Sequence, residues 1–489
     1  MLGILVNLAR LGGMQLVIAL TGIARNKTIA LRLGPEGYGE FIQLSLIVLT
    51  GSVIAAMGFG MSLTRNVAAT DDTADRQRLL AQANATNLLV AGVLIVLIAA
   101  LVMLDPSVLS LVGLTSDPLV VISLLVILAY IPLEAAVQHR IGFLTGALDI
   151  KGMTAGRSVA LLIGTAFSIP LIWFLGILGA AIQFTFMAFL IVALLDRRCR
   201  ALGYSPWAVR FDRASLVMLA RLGLASVVAG AVLQLSDLMT RTALVRSRDA
   251  AENGIYQAAL SLTHQVRAVV LGSVGSYMVA TLSKSTDRTT IVATANQLLA
   301  VVLPLAVAGF SGLGILSGPF IIILFSGEFL RAQALMPWLL ASYFIHTMIW
   351  VMGAPLLALN RVAVWLSLEL LFSIARLLIA LALIPAWGMV GVAVGYSAAT
   401  IVHFSLNWWY FSQKLGFTIE RRQWWLFGAG VPVVAGTATL GAIDVFDVNA
   451  VVLGLTVVGA YLLVSAHVVV GLPRLIDRFR TMIRGDRRA

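Results

Sequence analysis

Leu8-Ala9-Arg10-Leu11-Gly12 returns 211 residues later as Leu219-Ala220-Arg221-Leu222-Gly223, and this recurrence decides the fold. Further matches fall outward from it in the same order. Gly39 corresponds to Gly254, each two residues ahead of an aromatic, Phe41 and Tyr256. Gly176-x-x-Gly179-Ala180-Ala181 corresponds to Gly388-x-x-Gly391-Val392-Ala393, 212 residues on. One pentapeptide match arises by chance. Several in register mark a duplicated unit.

The duplicated unit is made of apolar segments. A bilayer is spanned by about 20 mostly apolar residues. Fourteen such runs lie near 4–24, 41–63, 86–104, 118–137, 156–175, 177–195, 214–236, 254–281, 291–316, 333–358, 362–384, 388–411, 424–442 and 449–470. Leu161 to Leu195 is one long run broken by Pro170, Gly176 and Gly179, and Pro319 to Phe325 is a short piece of re-entrant length. Six runs fall in each copy. An even number sends both halves into the membrane in the same direction, and parallel repeats place substrate sites between them near the midplane. The sequence therefore predicts an all-α polytopic membrane protein. Its fourteen transmembrane helices form two parallel six-helix lobes, 1–204 and 205–416. Two additional helices and a basic tail fill 417–489.

Composition agrees. The 489 residues are 60% hydrophobic and 11% charged, with mean hydropathy +0.98. A soluble domain carries about 25% charged residues, so this chain has too little polar surface to face water. The net charge of +12 would suggest nucleic acid in a soluble protein. Here most of the 34 Lys and Arg sit in alternate gaps between apolar runs, as the positive-inside rule requires. That places both termini in the cytoplasm and excludes a nucleic-acid partner. Trp408-Trp409 and Trp424-Trp425 flank one inside gap like an interfacial belt. The apolar N-terminal stretch recurs within the chain and is expected to be a retained helix rather than a leader. The single cysteine, Cys199, allows neither an internal disulfide nor a cysteine-rich metal site.

No phosphate-binding GxxxxGK[ST] loop occurs, and no HExxH, CxxC or GxSxG. The gaps on the outer side are too short to fold a catalytic domain. The expectation is a transporter: not an enzyme, with no catalytic or metal-binding residues and no cofactor, coupled to protons or sodium.

One stretch resembles a known family. Arg25-Asn-Lys-Thr-Ile-Ala-Leu-Arg-Leu-Gly-Pro-Glu-Gly-Tyr-Gly-Glu-Phe41 resembles the connection between helices 1 and 2 of the Wzx-type polysaccharide flippases. Asp237 to Arg241, running on to Gly254-Ile255-Tyr256, is similar to their helix 7–8 region. Leu324-Phe-Ser-Gly-Glu-Phe329 is similar to their turn before helix 10. The resemblance covers about residues 1–415. It departs from the pattern where Arg246, Ser247 and Arg248 stand for the usual Leu-Gly-Pro. It implies membership of the multidrug/oligosaccharidyl-lipid/polysaccharide exporter (MOP) superfamily in a bacterial inner membrane, and alternating access between two lobes. The implied substrate is an undecaprenyl-pyrophosphate-linked oligosaccharide, for O-antigen or exopolysaccharide biosynthesis, and a polymerase and glycosyltransferases of the same pathway are the implied partners. Fourteen helices also resemble the lipid II flippases, where the last pair helps accommodate the lipid tail.

An anionic head needs a wet cationic path, so arginines inside helices are the first candidates. Arg267 lies mid-helix with His264 one turn before it. Arg376 follows Glu369 by two turns on one face, and a self-neutralising pair is the alternative. Arg10 and Arg221 occupy matching repeat positions near helix ends, where snorkelling to headgroups also explains them. Arg25 and Arg241, with Lys27 and Arg32, are placed in outer gaps against the positive-inside rule. Glu134, Glu369 and Asp237 are candidates for ion coupling. Two rival readings stand beside flipping. One is an ion-coupled multidrug exporter of the same fold, which favours acidic cavity residues. The other is a non-transporting scaffold of a polysaccharide assembly complex.

Overall fold

The computed structural model describes residues 2–282, 288–358, 361–443 and 447–470. Among them the chain is helical, with no strand. In order the helices are α1 (Leu2–Ala56), α2 (Phe59–Ala68), α3 (Thr73–Leu104), α4 (Pro118–Ile127), α5 (Tyr130–Gly146), α6 (Ile150–Ala201) and α7 (Arg213–Ser247). They continue as α8 (Ala250–Leu282), α9 (Arg288–Ile315), α10 (Ser317–Leu324), α11 (Met336–Ala358), α12 (Val362–Trp409), α13 (Arg421–Ile443) and α14 (Val448–Val470). Aspartates start several of them by capping free backbone N–H groups: Asp72 accepts from Ala74, Asp117 from Leu119, Asp149 from Gly152 and Asp212 from Ser215.

Ten helical stretches of the described residues are long and apolar enough to cross a membrane. They do not map one-to-one onto the fourteen expected runs. Three of them, Val17–Ala68, Ile150–Ala201 and Ala363–Lys414, are 52 residues long, and each absorbs two of those runs. Each is bent at a glycine with positive φ, Gly34 (64°), Gly176 (58°) and Gly388 (54°), and Val17–Ala68 breaks a second time at Met57-Gly58 (51° and 64°). Gly176 and Gly388 are repeat mates and share nearly the same ψ, −129° and −133°. Only glycine adopts that conformation without strain. The likeness continues three residues on, where Gly179 closes on the carbonyl of Leu171 and Gly391 on that of Leu383.

The residues between the first two expected spans, read as an outer gap, are helical. Thr28, Ile29 and Ala30 are buried, so the apolar face of α1 continues through the basic residues and turns only at Gly34-Pro35. Arg140, which falls between the expected runs 118–137 and 156–175, lies in α5. Arg241 lies in α7 rather than in a gap. The apolar piece at 319–325 forms most of the short α10, followed by a 3-10 turn at Gly327–Leu335.

Packing divides the chain into two compact units. The first is Met1–Gln257 with Leu324–Phe329 and Leu381–Val392; the second is Ala258–Ile323, Leu330–Ala380 and Ala393–Ala489. These are units of contact and do not coincide with the sequence halves. In the first, Phe59, Leu63, Phe143, Leu144, Leu195 and Tyr204 form a dry core. Beside it Arg140, with no exposed side-chain surface, donates to Asp196 (2.9 Å), Asn84 (2.6 Å) and the Pro206 carbonyl (2.6 Å), under the ring of Trp207. The repeat mates Gly39 and Gly254 meet in this unit. A methyl on Gly39 would collide with the carbonyl of Ala250, and one on Gly254 with that of Pro35. Asn253 Nδ2 donates to the Gly39 carbonyl at 2.9 Å.

Candidate functional site: two arginines on a tyrosine pair

In the second unit α8, α11 and α12 carry four of the ten expected residues, His264, Arg267, Glu369 and Arg376. His264 and Arg267, one turn apart on α8, both meet Tyr343 of α11. The His264 Nε2 lies 2.6 Å from the Tyr343 hydroxyl, and the Arg267 guanidinium carbon lies 5.6 Å from the ring centre. Tyr343 stacks on Tyr396 of α12 at 5.5 Å and 27°. Arg376, also on α12, lies 5.9 Å over the Tyr396 ring. Two guanidiniums from different helices therefore sit on two stacked phenol rings.

The rings form a floor and the charges a rim. Tyr343, Tyr396, Phe372 and His403 are buried; His264 and Arg267 are exposed; Arg376, Glu369 and His346 are half-buried. His346 fills the middle of the floor, 5.1 Å from Phe372 and 5.8 Å from both Tyr396 and His403. Phe372 stacks on His403 at 4.8 Å. Glu369 interacts electrostatically with Arg267 on the neighbouring helix. A guanidinium at membrane depth costs about 2.5–3.5 kcal/mol on insertion scales, and an aromatic face returns part of this, about 0.5–2 kcal/mol. The planar fork of a guanidinium matches phosphate oxygens in geometry.

The other expected residues fall elsewhere. Arg241 is 2% exposed and committed within the first unit. It pairs with Asp237 one turn earlier (3.2 Å), donates to Asn253 (3.1 Å) and Gln257 (2.6 Å), and lies over Tyr256. That partner set braces α7 against α8 and explains both Asp237 and Arg241 as packing. Arg25 sits in α1 with Glu134 of α5 nearby in the same unit. Arg221 is exposed on α7. The side chain of Arg10 lies outside the described part of α1.

Tyr343, Tyr396, His346, Phe372 and His403 were not singled out in the sequence. Aromatics in apolar helices read as packing, but histidine gave a usable signal: three of the chain's five, His264, His346 and His403, gather at this one place. Chance scatter over 489 residues does not favour that.

The fold is that of MOP-type transporters. The chain superposes on the lipid II flippase MurJ in its inward closed conformation with a TM-score of 0.74 at 14% identity, over 94% of this chain and 98% of that one. It superposes on an inward-facing MATE multidrug transporter of the MOP superfamily with a TM-score of 0.66 at 15% identity, over 84% and 99%. In sequence it is similar to the lipid III flippases of Escherichia coli (strain K12) and Shigella flexneri. Each is 25% identical over 399 residues, which is 79% of this chain and 92% of the relative. No protein-family model matches the chain.

Proposed function

We propose that this chain flips an undecaprenyl-pyrophosphate-linked oligosaccharide from the cytoplasmic to the periplasmic leaflet of a bacterial inner membrane, by alternating access. The observation that carries the reading is the pair Arg267 and Arg376 on the stacked rings of Tyr343 and Tyr396. A diphosphate cannot cross hydrocarbon bare. Guanidiniums fixed on buried rings offer it preoriented, charge-assisted hydrogen bonds. The sequence relatives named lipid III flippases support the flipping of a lipid as the activity.

In this reading the three long bent helices each cross twice, both termini are cytoplasmic, and the polymerase and glycosyltransferases of a polysaccharide pathway are partners. Glu369 and Glu134 are the coupling carboxylates, for protons or sodium. The MATE fold alone does not favour drug export. A cationic drug calls for carboxylates, whereas this rim presents two arginines and one glutamate.

Alanine at Arg267 and Arg376 tests the reading in cells lacking the native gene. Accumulation of the lipid-linked intermediate on the cytoplasmic side, at normal membrane insertion, supports it. Polymer export at the wild-type level favours the scaffold reading and removes this one.

A further inference from the structure

The connection between α6 and α7, residues 202–212, is laid along α3 in the first unit. Gln77 holds Ser205 twice, accepting from its N–H at 2.8 Å and donating to its carbonyl at 2.9 Å. Asn84 Nδ2 donates to the carbonyls of Pro206 (2.8 Å) and Ala208 (2.9 Å), and Arg140 of α5 donates to that of Pro206. The Arg210 N–H donates to the Ala81 carbonyl at 3.3 Å, and the Asp212 N–H to Gln82 Oε1 at 2.6 Å. Buried Tyr204 meets Phe143 edge to face at 4.9 Å.

An extended chain sends alternate side chains to opposite sides. Here Tyr204 and Pro206 are buried, while Trp207, Val209 and Phe211 are each half or more exposed. They form a short apolar comb that the backbone bonds hold facing outward. The indole of Trp207 lies over the guanidinium of Arg140 at 5.0 Å, which fixes the ring. Arg197 and Arg200 at the end of α6, and Arg210 and Arg213 beside the comb, are exposed. The acids of this stretch are engaged elsewhere, Asp196 with Arg140 and Asp212 with the Ser215 N–H. Exposed Leu216, Val217 and Met218 carry the apolar surface on into α7, which continues as the membrane-crossing stretch Gly223–Ser247.

We propose that this patch binds anionic phospholipid: Trp207, Val209 and Phe211 sit at the upper ends of the acyl chains, and Arg197, Arg200, Arg210 and Arg213 hold the headgroup phosphates. The comb runs without a break into a lipid-facing helix, so its occupant is the bilayer rather than a soluble partner. Aromatic rings are favoured at that depth, and arginines near the surface select anionic over neutral headgroups. The hydrogen bonds to α3 and α5 mean that the lipid is held by the first unit. The proposal is independent of the cargo.

Tryptophan quenching tests this in full-length protein held in phosphatidylcholine nanodiscs. A minor fraction of the lipid is replaced by brominated phosphatidylglycerol or, in parallel, by brominated phosphatidylcholine. The share of Trp207 is the difference between the wild type and Trp207→Phe. At low salt that share is expected to be quenched about twofold or more strongly by the phosphatidylglycerol. The preference should fade as salt shortens the screening length from about 10 Å at 0.1 M to about 3 Å at 1 M. Glutamine at Arg197, Arg200, Arg210 and Arg213 together should make the two lipids equal while Trp207 is still quenched. The pairs Arg197→Gln with Arg200→Gln, and Arg210→Gln with Arg213→Gln, should each give an intermediate preference. Equal quenching by both lipids in the wild type overturns the proposal, as does a preference that survives loss of the arginines. Absence of Trp207 quenching by either lipid also overturns it and assigns the comb to a protein partner.

Discussion

Arg267 rests on Tyr343, its guanidinium carbon 5.6 Å from the ring centre, and the phenol oxygen of that ring meets His264 at 2.6 Å. One buried tyrosine thus places two of the rim's donors. Tyr343→Phe keeps the face and removes only the hydroxyl contact, so it is expected to change diphosphate affinity little. Tyr343→Leu removes the face. A cation–π contact is worth about 0.5–2 kcal/mol, so binding of a prenyl diphosphate should weaken about 2- to 30-fold. Titration of both variants checks this. Equal behaviour of Phe and Leu would show that the ring face does not matter.

Gly39 and Gly254 cross without room for a methyl group. Gly39→Ala and Gly254→Ala are each expected to lower stability by about 1–3 kcal/mol, the usual penalty of overpacking. Gly436→Ala is the control, because nothing lies within 4 Å of a methyl there; alanine in that helix should be neutral or stabilising by up to about 1 kcal/mol. Thermal unfolding in detergent separates the three. A drop for Gly436→Ala equal to that for Gly39→Ala would remove the packing explanation.

Arg140 and Asp196 form a buried pair, 0% and 2% exposed in their side chains. Removing one partner strands the other, at a cost of about 3–5 kcal/mol, whereas replacing both by apolar groups is often neutral. Arg140→Met alone and Asp196→Leu alone should therefore cut the yield of folded protein and lower its melting temperature. The double variant should recover most of both.

Much of the architecture was legible because duplication leaves a trace wherever the backbone is constrained. Gly176 and Gly388 had to be glycine for one bend made twice, and Gly39 and Gly254 because they touch. The departure at Arg246-Ser-Arg248 proved superficial. Arg32 donates to the Trp173 carbonyl before the Gly176 bend, and Arg248 to the Pro385 and Ala386 carbonyls before the Gly388 bend. Both arginines precede a glutamate by four residues, Glu36 and Glu252, and Glu252 accepts from the Met389 N–H. The spacing Arg-x-x-x-Glu held the equivalence where Leu-Gly-Pro was lost. The continuity of α1 was not legible, because basic residues and Gly-Pro look like a loop until burial of Ile29 and Ala30 is known. Neither was the Arg140–Asp196 pair, since 56 residues of sequence separate groups that only folding brings together. At the site, the charged rim followed from the cost of burying arginine. The aromatic floor did not, because its residues are indistinguishable from ordinary packing until three helices are assembled.

The most direct measurement is leaflet-to-leaflet transfer of a fluorescent prenyl-diphosphate oligosaccharide in proteoliposomes holding the purified chain. A hydrogen bond to a charged group is worth about 1.5–3 kcal/mol, so Arg267→Ala and Arg376→Ala should each slow the initial rate about tenfold or more, with helicity and insertion unchanged. A double alanine variant that transfers the lipid at the wild-type rate would contradict the account.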